Sequence, residues 1–172
     1  SVFHYNRVAG IEYNLASADN VWLGKAFYQQ SFVPDNPDSS YSYSASLSYN
    51  KRTFEATMSY QNIGNNYDAQ VGFVPRKGIQ RIRPRMQFTR FPVSNLINRH
   101  SLQLEAEILW SSLGFKSDHQ FELGYNLNFQ NTSSVNLNLV EEYTRLIDGF
   151  DPTRSDGLEL PGGSSYTYRY FR

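Results

Sequence analysis

The feature that most constrains the fold is a strict alternation of apolar and polar residues in YSYSASLSYNKRTFEATMSY, residues 41–60. Aromatic and apolar side chains occupy one parity from Tyr41 to Tyr49 and again from Phe54 to Tyr60. Serine, threonine and other polar side chains occupy the other parity. Successive side chains of an extended chain point to opposite faces, so this pattern predicts two β-strands, each with one apolar and one polar face. The break at 50–52 predicts a tight turn, and therefore a hairpin.

The same alternation recurs along most of the chain. It is clear at 5–15, 79–90, 101–111, 120–130, 135–146 and 164–172, and weaker at 21–32. No segment has a helical period. The sequence therefore predicts an all-β, antiparallel protein of about nine strands, with residues 1–172 forming a single region.

Strand length separates two all-β interpretations. Most of the alternating runs approach the roughly 9 to 11 residues of a membrane-spanning strand, whereas soluble strands are most often about 5 to 6 residues long. One parity is also too polar for the interior of a small sandwich. The pattern favours an antiparallel transmembrane β-barrel, with apolar side chains towards lipid and polar side chains towards the lumen. A soluble sandwich or jelly roll, whose strands also alternate, is the alternative.

Aromatic residues make up 16% of the chain, and many lie on the apolar parity. In a membrane barrel those near strand ends form girdles at the two interfaces. The predicted lipid-facing or girdle aromatics are Tyr41, Tyr43, Tyr49, Phe54, Tyr60, Trp110, Phe121, Tyr125 and Phe129.

Connection lengths predict an orientation. Three connections are short, at 16–20, 50–52 and 131–134, and three are long, at 33–40, 63–78 and 148–163, while those at 92–99 and 113–118 are intermediate. Outer-membrane barrels have short periplasmic turns and longer outer loops, and single-chain bacterial barrels have an even number of strands. With the short turns in the periplasm, the first strand runs inward from the cell surface. Nine strands that begin at the cell surface do not make an even-stranded barrel. We therefore expect part of a larger barrel, incomplete on the N-terminal side and also on the C-terminal side.

Two stretches carry a family resemblance, NRVAGIEYNLASADNVWLGKAFYQQSF at 6–32 and YDAQVGFVPRKGIQRIRP at 67–84. They resemble a barrel domain of unknown function that is widespread in Bacteroidota. The matching positions are Gly10, Tyr13, Asn14, Leu15, Ser17, Asp19, Asn20, Trp22, Gly24, Lys25, Asn66, Tyr67 and Gly72 to Arg76. The resemblance implies a longer secreted parent in which a module similar to family 9 carbohydrate-binding modules precedes the barrel. It assigns no reaction and no sugar-binding residue to this chain.

Three arginines form a row on the polar parity of one predicted strand, namely Arg81, Arg83 and Arg85. One hypothesis is a basic stripe in the lumen that selects anions or holds a plug. The other is a structural network in which the arginines pair with carboxylates of neighbouring strands. The candidate partners are Glu55, Glu105, Glu107 and Glu122. Pro84 interrupts the row and predicts a bulge or a strand break, because proline cannot donate to the ladder.

No residue set predicts catalysis. Glu105 with Glu107, and Glu141 with Glu142, have the carboxylates of a glycosidase but no further signal, so we predict that they are solvated or paired. His4, His100 and His119 show no metal-ligand spacing. The acidic loops 35–40 and 148–157 lack the EF-hand spacing. We therefore predict no enzyme activity, no cofactor and no metal; whether the long loops bind calcium or glycan stays open.

Charge and composition define the expected surroundings. Sixteen basic residues balance sixteen acidic ones, so no net field attracts nucleic acid, and we predict no nucleic-acid partner. There is no cysteine. The expectation is a bacterial outer-membrane protein that contacts lipid and that anchors or gates a larger surface protein. The expectation includes a protein partner in the outer membrane. The family resemblance further implies a glycan, bound by a module outside this chain.

Overall fold

The computed structural model describes residues 5–34, 38–70, 72, 74, 76–154 and 157–172. Nine β-strands account for most of them: β1 Arg7–Ala16, β2 Trp22–Phe32, β3 Tyr41–Lys51, β4 Phe54–Ile63, β5 Ile79–Arg90, β6 Ile97–Ser111, β7 Lys116–Phe129, β8 Ser134–Arg145 and β9 Ser165–Phe171. Eight of the nine strands have 10 to 15 residues, and β9 has 7. Within the described ranges the chain has no helix, and hence none that is long and apolar enough to cross a membrane.

The strands form one antiparallel sheet in the order of the sequence, from β1 to β9. Each strand pairs with its neighbours in the chain, so the sheet is an up-and-down meander. The predicted all-β antiparallel class and the predicted number of strands are confirmed. Among the described residues the sheet is open, with β1 and β9 as its edges, and no second sheet packs on it as in a sandwich.

The pairing places the two parities on opposite faces across all nine strands. Opposed pairs such as Leu47 with Met58 and Leu104 with Leu123 lie on one face, which we call the apolar face. The opposite face, which we call the polar face, carries Ser46 opposite Ser59 and Glu105 opposite Glu122. The alternation that predicted the strands therefore also predicts their faces from β1 to β8. In β9 the alternating tyrosines lie on the polar face, where Tyr168 and Tyr170 donate to Glu142.

The connections sort by length between the two ends of the strands, which are different from the edge strands β1 and β9. Each of these two borders of the sheet is called an edge below. The connections 17–21, 52–53, 91–96 and 130–133 lie at one edge, which we call the turn edge. The connections 33–40, 64–78, 112–115 and 146–164 lie at the other, which we call the loop edge. All three of the predicted short connections are at the turn edge, and all three of the predicted long ones are at the loop edge. The connection predicted at 113–118 is shorter than expected, because β7 begins at Lys116.

The sheet is strongly staggered. Directly opposed residues form a line across the sheet. From β1 to β5 this line contains Leu15, Gly24, Leu47, Met58 and Pro84, and further along it Phe121 in β7 opposes Glu141 in β8. It starts one residue from the turn edge of β1 and arrives at Glu141 well inside β8, nearer the loop edge. The strands therefore tilt relative to both edges, which is the geometry that a sheet needs in order to close into a barrel.

Pro84 behaves differently from the prediction. The strand β5 is continuous from Ile79 to Arg90, so the predicted strand break is absent. Pairing with β6 is interrupted at Arg83 and Pro84 but resumes in the same register, so the predicted bulge is absent too. The register shifts instead occur between β6 and β7, one at Ile97/Arg99 and one at Leu109/Trp110. Proline removes one donor, and the ladder tolerates that loss without an extra residue.

Candidate functional site

The polar face carries the arginine row, and each arginine has a partner. Arg83 donates from Nε to the Glu107 Oε2 atom at 2.8 Å and from a second guanidinium nitrogen to the same oxygen. Arg81 donates to the Gln61 side chain and lies 3.6 Å from Glu107 Oε1. Arg85 is 4.0 Å from Glu105 Oε2. One carboxylate therefore joins two of the three guanidinium groups.

Two of the four proposed acidic partners do not join the row. Glu55 lies on the polar face opposite Gln87, and among the described residues it forms no ion pair. Glu122 opposes Glu105 but contacts Arg172 at 3.3 Å. The alternation in the sequence correctly predicted that Glu55 and Glu122 lie on the polar face. Which charged residue each of them pairs with depends on the stagger of the sheet.

Polar contacts extend to the last strands, and the sequence did not predict them. Asp118 in β7 accepts hydrogen bonds from Arg76 Nη1 at 2.5 Å and from the Thr144 hydroxyl. Glu142 in β8 accepts from the hydroxyl groups of Tyr168 and Tyr170. Among the described residues, no buried side-chain nitrogen or oxygen lacks a hydrogen-bond partner. The charged side chains of the polar face thus form several separate groups of ion pairs and hydrogen bonds, which favours the structural interpretation of the arginine row over an anion-selective stripe.

The apolar face is covered by nothing in the described chain. Its central side chains keep a large fraction of their surface exposed, for example 42% for Leu104 and 60% for Leu137. Apolar side chains occupy this face from β1 to β8. Its part near the loop edge of β7 to β9 instead carries an ion-pair group of His119, Glu141 and Arg169. Soluble monomers rarely expose contiguous apolar patches above a few hundred Å², so a face of this extent indicates an apolar environment or a partner.

Aromatic side chains border this face at the turn edge. Trp22, Tyr49, Phe54 and Phe88 form a row across four strands, which we call the turn-side row. The ring centroids are 4.9 Å apart for Trp22 and Tyr49, 6.0 Å for Tyr49 and Phe54, and 4.8 Å for Phe54 and Phe88. Tyr49 and Phe54 were predicted for a girdle, whereas Trp22 and Phe88 were not.

A second row lies towards the loop edge, and we call it the loop-side row. Tyr41 stacks on Tyr43 at 5.8 Å, and Tyr43 lies 5.9 Å from Tyr60. Trp110 is one residue from the end of β6 at the same edge. Tyr125 and Phe129 are nearer the turn edge, whereas Phe121 lies further inside β7, away from both rows.

The carboxylate pairs considered for catalysis are engaged elsewhere. Glu141 and Glu142 are on opposite faces of β8, and Glu141 contacts His119 at 3.3 Å and Arg169 at 2.6 Å. In the parts of the chain that the structure describes, no three His, Asp or Glu side chains come together in a group able to hold a metal ion. His4, Asp35 and Asp156 lie outside the described residues, so the prediction for the acidic loops stays untested there.

The turn between β1 and β2 is built by the motif that carries the family resemblance. The Ser17 hydroxyl donates to Asp19 Oδ1 at 2.6 Å, and the backbone N–H of Val21 donates to the same oxygen at 3.2 Å. These bonds hold the pKa of Asp19 below its ordinary value, because they favour the charged carboxylate. Asn20 takes a left-handed backbone conformation with φ 54°, which asparagine tolerates better than most residues. The motif therefore has a structural role in this turn.

The connection 64–78 does not extend away from the sheet. Its described residues, 64–70, 72, 74 and 76–78, which we call the strap, fold over the polar face at the loop edge. Tyr67 is only 4% exposed, packs with Ile63 and Ile79, and donates its hydroxyl to Gln29 Oε1 at 2.7 Å. Burial raises the pKa of the Tyr67 hydroxyl, because the phenolate would be desolvated there. Nothing in the local sequence pattern predicts this inward fold.

No protein-family model, no curated protein and no solved structure matches this chain. The geometry of the two faces and of the strap therefore has to carry the functional interpretation by itself.

Proposed function

We propose that this chain is part of a bacterial outer-membrane β-barrel that anchors or gates a larger surface-exposed protein and has no catalytic role. The observation that carries the proposal is the pairing of an exposed apolar face, bordered by two aromatic rows, with an opposite face of hydrogen-bonded charges. In the proposal the apolar face contacts lipid, and the polar face lines an enclosed aqueous lumen. The resemblance to the Bacteroidota barrel domain is part of the same proposal.

The dimensions agree with a bilayer. Tyr41 and Tyr49, one in each row, are about 27 Å apart along β3 at a rise of about 3.4 Å per residue. A tilt of about 40° reduces this separation to about 21 Å along the membrane normal, close to the apolar band of about 25 Å in such barrels. The stagger of the sheet supports such a tilt. In the proposal, further strands pair with β1 and β9, because lipid does not tolerate an open sheet edge.

Trp22 and Trp110 provide the direct test, since these 172 residues contain no other tryptophan, and any tryptophan elsewhere in a longer native chain is first replaced by phenylalanine. Trp22 belongs to the turn-side row, and Trp110 lies near the loop edge. The variants Trp22→Phe and Trp110→Phe, made in the native chain and reconstituted into vesicles, each retain one reporter. We expect bromine atoms near the headgroups to quench both reporters more strongly than bromine atoms at the bilayer centre. Equal insensitivity of both reporters to every brominated lipid would refute the membrane proposal.

A gel of native outer membrane, boiled and unboiled, is the complementary test. A band that moves on boiling indicates a folded barrel, whereas an unshifted band in the soluble fraction indicates the alternative, a soluble carbohydrate-binding protein. Planar-bilayer recording then separates a gated channel from a plugged, partner-binding barrel. The paired arginine row favours the plugged barrel.

A further inference from the structure

The strap contacts the sheet on both sides of the strands from which it arises. It leaves β4 at Gly64 and returns to β5 at Gly78. On one side, the Asp68 backbone N–H donates to Ser31 Oγ in β2 at 3.1 Å, and Asn6, just before β1, donates to the Asp68 carbonyl oxygen at 3.0 Å. On the other side, Arg76 reaches Asp118 in β7. The contacts span six inter-strand spacings, about 29 Å along the sheet.

The strap is held by packing as well as by polar contacts. Ile63, Tyr67 and Ile79 form a buried hydrophobic cluster, and Ala69, Val74 and Leu109 pack against it. Lys77 pairs with Asp68 at 3.2 Å, which ties the two halves of the strap together. This cluster stands on the polar face, where the pattern of the strands alone would leave the serine and arginine side chains open to solvent.

The ends of the strap show why the chain can turn inward. A Cβ atom on Gly64 would lie 1.9 Å from the Ser39 carbonyl oxygen, so glycine alone permits that close approach. Gly78 has φ +66°, a conformation that favours glycine. At Gly78 a Cβ atom would also meet Asn65 Oδ1 at 2.0 Å. The inward path is therefore built into the backbone at both ends.

We propose that the strap closes the passage along the polar face at the loop edge, and that the ion pair between Arg76 and Asp118 holds it closed. This inference rests on the proposed function, because the passage exists only if the sheet belongs to a closed barrel. A segment that contacts Asn6 just before β1, Ser31 in β2 and Asp118 in β7 covers the polar face over most of the width of the sheet at the loop edge. The strap thus acts as a plug formed by the chain itself.

The test uses the native full-length chain in vesicles, with Ala69→Cys as a thiol reporter of the docked strap. These 172 residues contain no native cysteine, and any cysteine elsewhere in the full-length chain is replaced by serine, so that Ala69→Cys carries the reporting thiol. We expect Asp118→Asn to increase the labelling rate of this thiol by a water-soluble maleimide about tenfold, the factor that corresponds to about 1.4 kcal/mol. The charge exchange Arg76→Asp with Asp118→Arg should restore slow labelling, whereas Asp118→Arg alone should not. Glu12→Gln, which breaks the polar-face pair with Lys25 away from the strap, is the matched control.

Conductance in a planar bilayer completes the test. The inference is supported if Asp118→Asn raises both labelling and single-channel conductance while Glu12→Gln changes neither. It is overturned if labelling rises in a heat-modifiable, folded protein whose conductance does not change, and also if Asp118→Asn leaves labelling at the wild-type rate. A protein with no heat-modifiable form would instead refute the proposed function, and the two failures are therefore distinguishable.

Discussion

A single arginine placed on either face of β6 distinguishes a lipid-facing sheet from a solvated one. Leu104 is at the centre of the 15-residue strand β6, on the apolar face between Met86 and Leu123. An arginine near the bilayer midplane of a membrane barrel costs about 2 to 4 kcal/mol. We therefore expect Leu104→Arg to reduce the folding equilibrium constant by about 30- to 700-fold. In water the same substitution at a side chain that is 42% exposed would change stability by about 0.5 kcal/mol or less.

The matched control is Gln103→Arg, one residue away at the same depth but on the polar face. Gln103 lies beside Arg85 and Glu105 at 3.4 Å from each, so a cation there has a carboxylate neighbour. The assay is urea unfolding in lipid vesicles, followed by the heat-modifiable mobility of the folded form. We expect the midpoint to fall for Leu104→Arg and to stay within experimental error for Gln103→Arg. Equal shifts for both variants would refute the assignment of the two faces.

Three further predictions concern the polar face, the first turn and the strap. Glu107→Gln should lower the free energy of unfolding by about 1 to 3 kcal/mol in the same urea assay, because it weakens the partner of two arginines. Glu55→Gln should have no measurable effect. Similar losses of stability for both variants would contradict the pairing of the arginine row with Glu107. Asp19 has a lowered folded-state pKa, so its contribution is present above the unfolded value of about 3.9 and is lost as the pH falls through the folded value. Ser17→Ala should therefore reduce stability at pH 7 more than at pH 2, and equal losses at both pH values would count against the bond. Tyr67 has a raised pKa, so docking of the strap is intact below the unfolded value of about 10 and is lost as the pH rises through the folded value. The labelling rate of Ala69→Cys is therefore divided by that of an unstructured peptide thiol at the same pH, because the thiolate is the reacting form. This ratio should rise at alkaline pH and should stay constant in Tyr67→Phe.

Period-two alternation was sufficient to predict the strands and, from β1 to β8, their faces, whereas the alternating tyrosines of β9 lie on the polar face. The connection lengths also predicted how the connections sort between the two edges. The alternation succeeds for a physical reason, because successive side chains of an extended strand point to opposite faces of the sheet. The predicted row Arg81, Arg83 and Arg85 also lies on one face, since parity alone determines it. The sequence predicted the face of each of these residues, but not its partner.

The pairing partners of these charged residues and the inward path of the strap could not be predicted from the sequence. Both depend on strand register and on contacts between residues far apart in the chain. Glu122 contacts Arg172 rather than the arginine row because the stagger of the sheet brings the end of the chain to it. Trp22 was not predicted as a girdle residue because it lies in the stretch 21–32, where apolar residues fall on both parities. Tyr67 matched the family motif, but its burial could not be predicted, since a single tyrosine in a connection has no period. The hydrogen bond that Tyr67 donates to Gln29 becomes evident only once β2 and β4 share a sheet.

The sequential order of the strands has a consequence for the order of assembly. Each pairing joins neighbours in the chain, so the meander can grow one hairpin at a time. The strap is different, because Asn6 and Asp68 are separated by 62 positions and Arg76 and Asp118 by 42. Closing such loops costs entropy that is recovered only when both partners are already in place. The contact between Arg76 and Asp118 can form only after β7 has joined the sheet, so the strap becomes fixed on that side later than at β1 and β2.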